Sequence, residues 1–133
     1  MCQLVTDEQV VLRRRRAWKV FAGTPTKPLG VYYTPEGLDR DMRAGPGALY
    51  KLGKVYSAIP RLNSASSTSG GFHVFTTRKS AEDYRKGLRD WVAGRIAGRM
   101  YILQVRVWGR ALPFTTASGH KGWAVENLLI PSR

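Results

Sequence analysis

The stretch Gly70-Gly71-Phe72-His73-Val74-Phe75-Thr76-Thr77, followed at once by Arg78-Lys79-Ser80-Ala81-Glu82-Asp83-Tyr84, constrains this chain more than any other. Adjacent glycines break the backbone, because they alone adopt turn conformations without steric cost. A short apolar run then reads as a strand. Thr77 or Ser80 supplies an N-cap, and Ser80 with Asp83 resembles a capping box. Ala81, Tyr84, Leu88 and Trp91 recur at helical spacing and share one face. Arg85, Lys86 and Arg89 fall on or near the opposite face. A glycine break, a strand, a cap and a helix therefore meet here without conflict.

The flanks extend this pattern. Ala17 to Phe21 reads as a strand with Trp18 and Val20 on one face. Turn signals fill 23–30, and Val31-Tyr32-Tyr33 reads as the return strand of an N-terminal hairpin. Tyr50 to Tyr56 holds two short extended pieces around Gly53. Residues 63–71 are small and polar, the composition of a mobile surface loop. Tyr101 to Trp108 is the clearest strand. Tyr101, Leu103, Val105 and Val107 form its apolar face, and Ile102, Gln104, Arg106 and Trp108 a half-solvated one. Gly109 is expected to end it, with Ala111 to Phe114 as a kinked edge. Trp123 to Ile130 reads as a last strand stopped by Pro131. The fold class expected is α+β: mainly antiparallel sheet with one principal helix packed on it and an N-terminal hairpin. The division expected is a basic N-terminal arm over 1–16 and a single domain over 17–133.

Charge bounds the function. The 133 residues carry 22 Lys and Arg against 9 Asp and Glu, a formal charge of +13. Such a field attracts nucleic acid, nucleoprotein, an acidic protein face or anionic lipid. The alternative is a solubilising surface in which arginine stands for lysine for coding reasons. Arg13-Arg14-Arg15-Arg16 reads either as a phosphate-contacting arm or as a solvated lead-in to the first strand. Aromatic and basic residues interleave at Trp18-Lys19, Tyr50-Lys51, Tyr84-Arg85-Lys86 and Arg106-Val107-Trp108. That mixture suits single-stranded nucleic acid, where bases stack and phosphates pair. Core aromatics flanked by surface lysines give the same pattern.

Other chemistries find little purchase. A single cysteine, Cys2, permits no internal disulfide, and two histidines, His73 and His120, do not make a Cys/His zinc site. No metal is expected. No apolar run approaches the roughly 20 residues that cross a bilayer. The N-terminus lacks a signal-peptide pattern, so a cytoplasmic location and no membrane partner are expected. Phosphate-loop, Ser/His/Asp, paired-carboxylate and HExxH arrangements are absent. Gly94 to Gly98 is no dinucleotide fingerprint, since no strand precedes it. What remains is His73, Tyr84 and Glu126, with Trp123 beside them. His73 leaves the face shared by Phe72 and Val74, either as a base, donor or stacking platform or as a histidine satisfied by backbone. Glu126 is a lone carboxylate in an apolar strand. It needs a partner, whether a substrate hydroxyl or an arginine such as Arg106.

Two resemblances follow from these motifs. The order Lys54-x-Tyr56, Gly71-Phe72-His73-x-Phe75, Ala81, Tyr84, Val105-x-Val107-x-Gly109 and Gly122-Trp123-Ala124-x-Glu126 resembles a family of small domains common in bacteriophages and mobile elements. The likeness runs over roughly residues 17–130. It implies an accessory or host-takeover protein acting in the host cytosol, such as an inhibitor of a host defence complex. The strand Gly71 to Phe75 with Ala81 and Tyr84 is also similar to the nicotinamide-cradling segment of ADP-ribosyltransferases. That likeness implies NAD as cofactor, with Glu126 orienting the acceptor and His73 and Tyr84 as catalytic neighbours. Phe21-Ala22-Gly23-Thr24 is similar to that family's first motif, with Ala22 where a histidine or arginine is the rule. The leading expectation is a non-enzymatic, cofactor-free binding protein that engages nucleic acid or a host nucleoprotein or defence complex. Its anchors would be Arg13 to Arg16, Arg85, Lys86 and Arg89. The alternative is an ADP-ribosyltransferase-like enzyme, and a pure inhibitor docking its basic face on an acidic protein is a third reading. The sequence sets no oligomeric state.

Overall fold

A computed structural model describes residues 3–5, 8–29, 50–62, 68–91 and 100–132. In chain order the elements are β1 (Gln3–Val5), β2 (Val10–Thr24), β3 (Lys27–Leu29), β4 (Val55–Ser57), β5 (Arg61–Leu62), β6 (Thr68–Ser69), β7 (Phe72–Phe75), α1 (Arg78–Trp91), β8 (Met100–Thr116) and β9 (Lys121–Leu129). The described elements are mostly antiparallel strands with one helix, as an α+β chain requires.

The two long strands organise the sheet. β2 pairs with β8 from Ala22↔Met100 to Val10↔Ala111. β8 also pairs with β9, β9 with β7, and β7 with β2 at Trp18↔Phe75. The hydrogen-bonded path β2–β8–β9–β7 thus returns to β2. Closing the circuit removes the exposed edges these four strands would otherwise present. β1 adds to the far end of β8, β4 to β9 and β3 to β2. β5 and β6 form a separate two-stranded ribbon.

Alternation along the strands then makes two cores. Ala17 and Phe21 of β2, Phe72 and Val74 of β7, Leu103, Val105 and Val107 of β8, and Val125 and Leu128 of β9 meet in one buried cluster. All four strands of the circuit feed it, so it fills the interior. Tyr50 completes it, edge-on to Phe21 and Tyr56 at 5.2 Å each and to Phe72 at 6.5 Å. Each such aromatic withdrawn from water contributes on the order of 1.5–3 kcal/mol. The residues of opposite parity, Val20, Phe75, Leu112, Phe114 and Ala124, form a second cluster with Ala81 and Tyr84 of α1. Ala81 and Tyr84 of the face implied by the helical spacing thus pack inward; the side chains of Leu88 and Trp91 lie outside the described set.

Several expectations need correction. A hairpin forms at the end of β2, but it turns at Pro25-Thr26 and returns through Lys27–Leu29, inside the span read as turn. Pairing as early as Thr24↔Lys27 follows because Thr24 Oγ1 accepts a 3.2 Å bond from the Lys27 amide. The return strand expected over 31–33 lies outside the described residues, as do Gly94 and Gly98. Gly109 does not end its strand. It adopts φ +93° within a register shift between Trp108 and Ala111, and β8 continues to Thr116. Glycine accepts the bulge conformation that ends a strand for other residues. The loop read over 63–71 contains β6, and Gly70 and Gly71 hold φ of 71° and 69°. A Cβ on Gly70 would lie 2.5 Å from the Ile59 carbonyl oxygen, so the glycine break is a packing requirement. Thr77 is the cap: its Oγ1 accepts from the Ser80 amide at 3.1 Å, which puts Ser80 inside the first turn.

Candidate nucleic-acid interface

The four arginines are part of β2, so the boundary expected after Arg16 falls within a continuous strand. All four side chains are exposed. Their directions follow from a bulge. Leu12 pairs with Gly109 and Arg15 with Val107, so Arg13 and Arg14 together face the single residue Trp108. The extra residue lets successive arginines share a side where strict alternation would separate them. The Arg14 guanidinium lies over the Trp108 ring, 5.2 Å from its centroid. Arg15 turns to the other side and covers Trp123 at 4.8 Å.

One rung further, Arg16 stands directly opposite Arg106. Opposed residues of an antiparallel pair point the same way, so two guanidinium groups share one patch. Among the described residues no carboxylate forms an ion pair with Arg13, Arg14, Arg15, Arg16 or Arg106. The next rung is Trp18 opposite the exposed Gln104. Trp18 itself is half-buried and packs, with Met100 and Ile102, against the cluster beneath α1 to which Val20 belongs. The outer face of β2–β8 thus reads, rung by rung, Arg14 and Trp108, Arg16 and Arg106, Trp18 and Gln104. The half-solvated face foreseen for β8 is this face. The sequence singled out Arg106-Val107-Trp108 and the arginine run separately; the bulge that brings them together was not legible.

Other basic candidates are placed differently. Lys19, read as interleaved with Trp18 on the surface, is buried between Ala17 and Phe21. Its Nζ donates to the His73 carbonyl at 3.4 Å. Alternation with two core residues sends it inward, so it is no phosphate contact. Arg85 is half-buried and its guanidinium donates to the Met100 carbonyl at 3.5 Å, tying α1 to the start of β8. Lys86 is exposed. Arg89 belongs to α1, but its side chain lies outside the described set.

The residues of the catalytic alternative are set into the framework. The His73 ring packs against Phe114 at 5.7 Å, with Nε2 3.3 Å from the Gly70 carbonyl oxygen. Phe114 meets Phe75 at 5.8 Å, and Phe75 meets Tyr84 at 4.8 Å. His73 and Tyr84 are therefore joined through two phenylalanine rings of the second core. Glu126 finds an arginine, as the structural reading required, but it is Arg110 rather than Arg106. One carboxylate oxygen accepts from the Arg110 backbone amide at 3.1 Å and the other from its guanidinium at 2.8 Å. That side-chain bond, reinforced by the backbone bond, holds the Glu126 carboxyl below the ordinary carboxylate range and raises Arg110. Gly109 makes room for this: a Cβ there would lie 2.8 Å from the carboxylate. The lone carboxylate is thus the brace of the β8 bulge.

A pocket of about 130 Å³, lined by Pro25, Leu52, Leu103, Gln104, Ile130 and Pro131, carries no titratable side chain. Among the described residues no group of His, Cys, Asp and Glu is placed to hold a metal ion. No described helix is long and apolar enough to cross a membrane. No protein-family model matches the chain, and neither does any curated protein or solved structure. The two resemblances drawn from short motifs therefore rest on those motifs alone.

Proposed function

We propose that this protein is a non-enzymatic binding protein whose outer β2–β8 face grips nucleic acid, free or within a nucleoprotein complex. The observation that carries the reading is the cross-strand pair Arg16↔Arg106. Like charges set directly opposite in a sheet destabilise it, and here no described carboxylate relieves them. An anion between the two guanidinium groups converts that cost into binding. Arg13 and Arg14 one rung away extend the positive field, and the net charge of +13 steers polyanions toward it. Arginine suits the role because its planar fork matches phosphate oxygens in a bidentate way. The motif resemblance to phage and mobile-element domains agrees with an accessory or inhibitory role against a host complex.

The test is the salt dependence of binding to a mixed set of RNA and DNA oligonucleotides. Phosphate contacts release counterions, so affinity should fall steeply and log-linearly between low and physiological salt. A flat response, or no binding to any of them, overturns the proposal.

A further inference from the structure

We propose that the β2–β8 face selects single-stranded over duplex nucleic acid, with an unstacked base laid on Trp108 and phosphates held by Arg14, Arg16 and Arg106. The inference rests on the anion-gripping reading of the same face and names its ligand.

Three features carry it. First, the basic rung Arg16↔Arg106 is flanked one rung away by the indole of Trp108, while Trp18 on the other side is half-buried against the cluster beneath α1. A surface built for duplex phosphates has no use for flat apolar rings, because duplex bases hide their faces in the stack. Single strands present those faces, and base–aromatic stacking is indifferent to sequence. Second, residues sharing a face recur every second position, roughly 6.8 Å apart along an antiparallel strand. That is about twice the ~3.4 Å advance per nucleotide of a stacked duplex strand. A strand stretched out of its stack advances about one such step per nucleotide, so a base on Trp108 leaves a neighbouring phosphate over the Arg16↔Arg106 rung. Third, Trp108 is half-buried and already covered by a cation, the Arg14 guanidinium at 5.2 Å. The arginine keeps the indole face in order without a ligand. When a base takes that face, Arg14 swings to the neighbouring phosphate, so one residue serves both states. Gln104, exposed beside Trp18, offers an amide to whatever base edge lies there.

The experiment compares fluorescence polarisation of labelled 12-nucleotide oligo-U and oligo-dT with a 12-base-pair duplex at one fixed salt, for the wild type, Trp108→Ala and Trp108→Phe. The expected result is tighter binding of both single strands than of the duplex. Trp108→Ala should weaken the single strands roughly ten-fold or more, the scale of one lost base stack, and leave duplex binding unchanged. Trp108→Phe should keep most of the affinity, and single strands should quench wild-type tryptophan fluorescence. Circular dichroism confirms folding. If Trp108→Ala does not fold, the Phe variant and the quenching decide. Equal affinity for duplex and single strand overturns the single-strand inference, as does unchanged binding by folded Trp108→Ala; both leave the gripping of anions standing. Displacement by polyglutamate as readily as by oligo-U also overturns it, in favour of an acidic protein partner. Binding to none of the nucleic acids overturns both readings.

Discussion

The arginine rungs on the outer face of β2–β8 and the β7–β9 region are built from similar residues and treat them in opposite ways. Along β7–β9 the polar groups serve the fold. His73 lies on Phe114, Tyr84 on Phe75, and both Glu126 oxygens receive bonds from Arg110. On the outer face, exposed Arg16 stands opposite half-buried Arg106, and no described carboxylate pairs with either. The first region is what a small domain needs to hold together. The second carries a cost the fold does not require. Residue types alone point toward the first as the site, because histidine, tyrosine and glutamate are the usual catalysts. Their engagement points to the second.

The contrast can be broken most forcefully at Phe114. It joins His73 and Phe75 and is almost fully buried. Phe114→Ala should cost about 3–5 kcal/mol in urea unfolding, while any protein that remains folded binds oligonucleotides with unaltered affinity. Next is Gly109→Ala. A side chain at φ +93° is strained and also presses on Glu126, so a loss of at least ~1–2 kcal/mol is expected in urea unfolding. Arg16→Thr should act with the opposite sign. Removing one of two opposed charges should raise stability by about 0.2–1 kcal/mol and weaken binding. A variant that gains stability and loses ligand is hard to reconcile with a structural role for that arginine.

The smallest effect expected is a pH dependence at Glu126. Its carboxyl titrates lower in the folded protein than its ordinary value of about 4.5, chiefly because Arg110 bonds the ionised form. The resulting stabilisation is complete above that value and disappears as pH falls through the folded one. The thermal stability of wild type over Glu126→Gln should therefore shrink below about pH 4.5 and stay constant from there to neutrality. A constant difference throughout would show that the brace acts by shape alone.

Much of this fold could be read from the chain, because periodicity reports burial directly. The central strand, the helix face carried by Ala81 and Tyr84, and the two faces of Tyr101 to Trp108 follow from spacing of two or of three and four. What escaped lies where register, not periodicity, decides. A glycine in a strand reads as a stop, yet Gly109 carries β8 onward through a bulge. Four consecutive arginines read as an arm or a solvated lead-in to the first strand, yet they lie within β2, where a bulge sets Arg13 and Arg14 opposite Trp108. Lys19 beside Trp18 reads as surface, yet it occupies the interior parity of β2. The partner of Glu126 was recognisable as an arginine. Its number was not, because only the β8 bulge brings Arg110 within reach.

The most direct measurement is the salt slope of single-strand binding for the wild type and for a variant carrying Arg14→Gln, Arg16→Gln and Arg106→Gln together. If these three side chains hold phosphates, the variant should lose affinity and its log–log slope should flatten by roughly 0.7 per lost contact, about 2 in all. A variant that stays folded and keeps both the wild-type slope and the wild-type affinity would contradict the account.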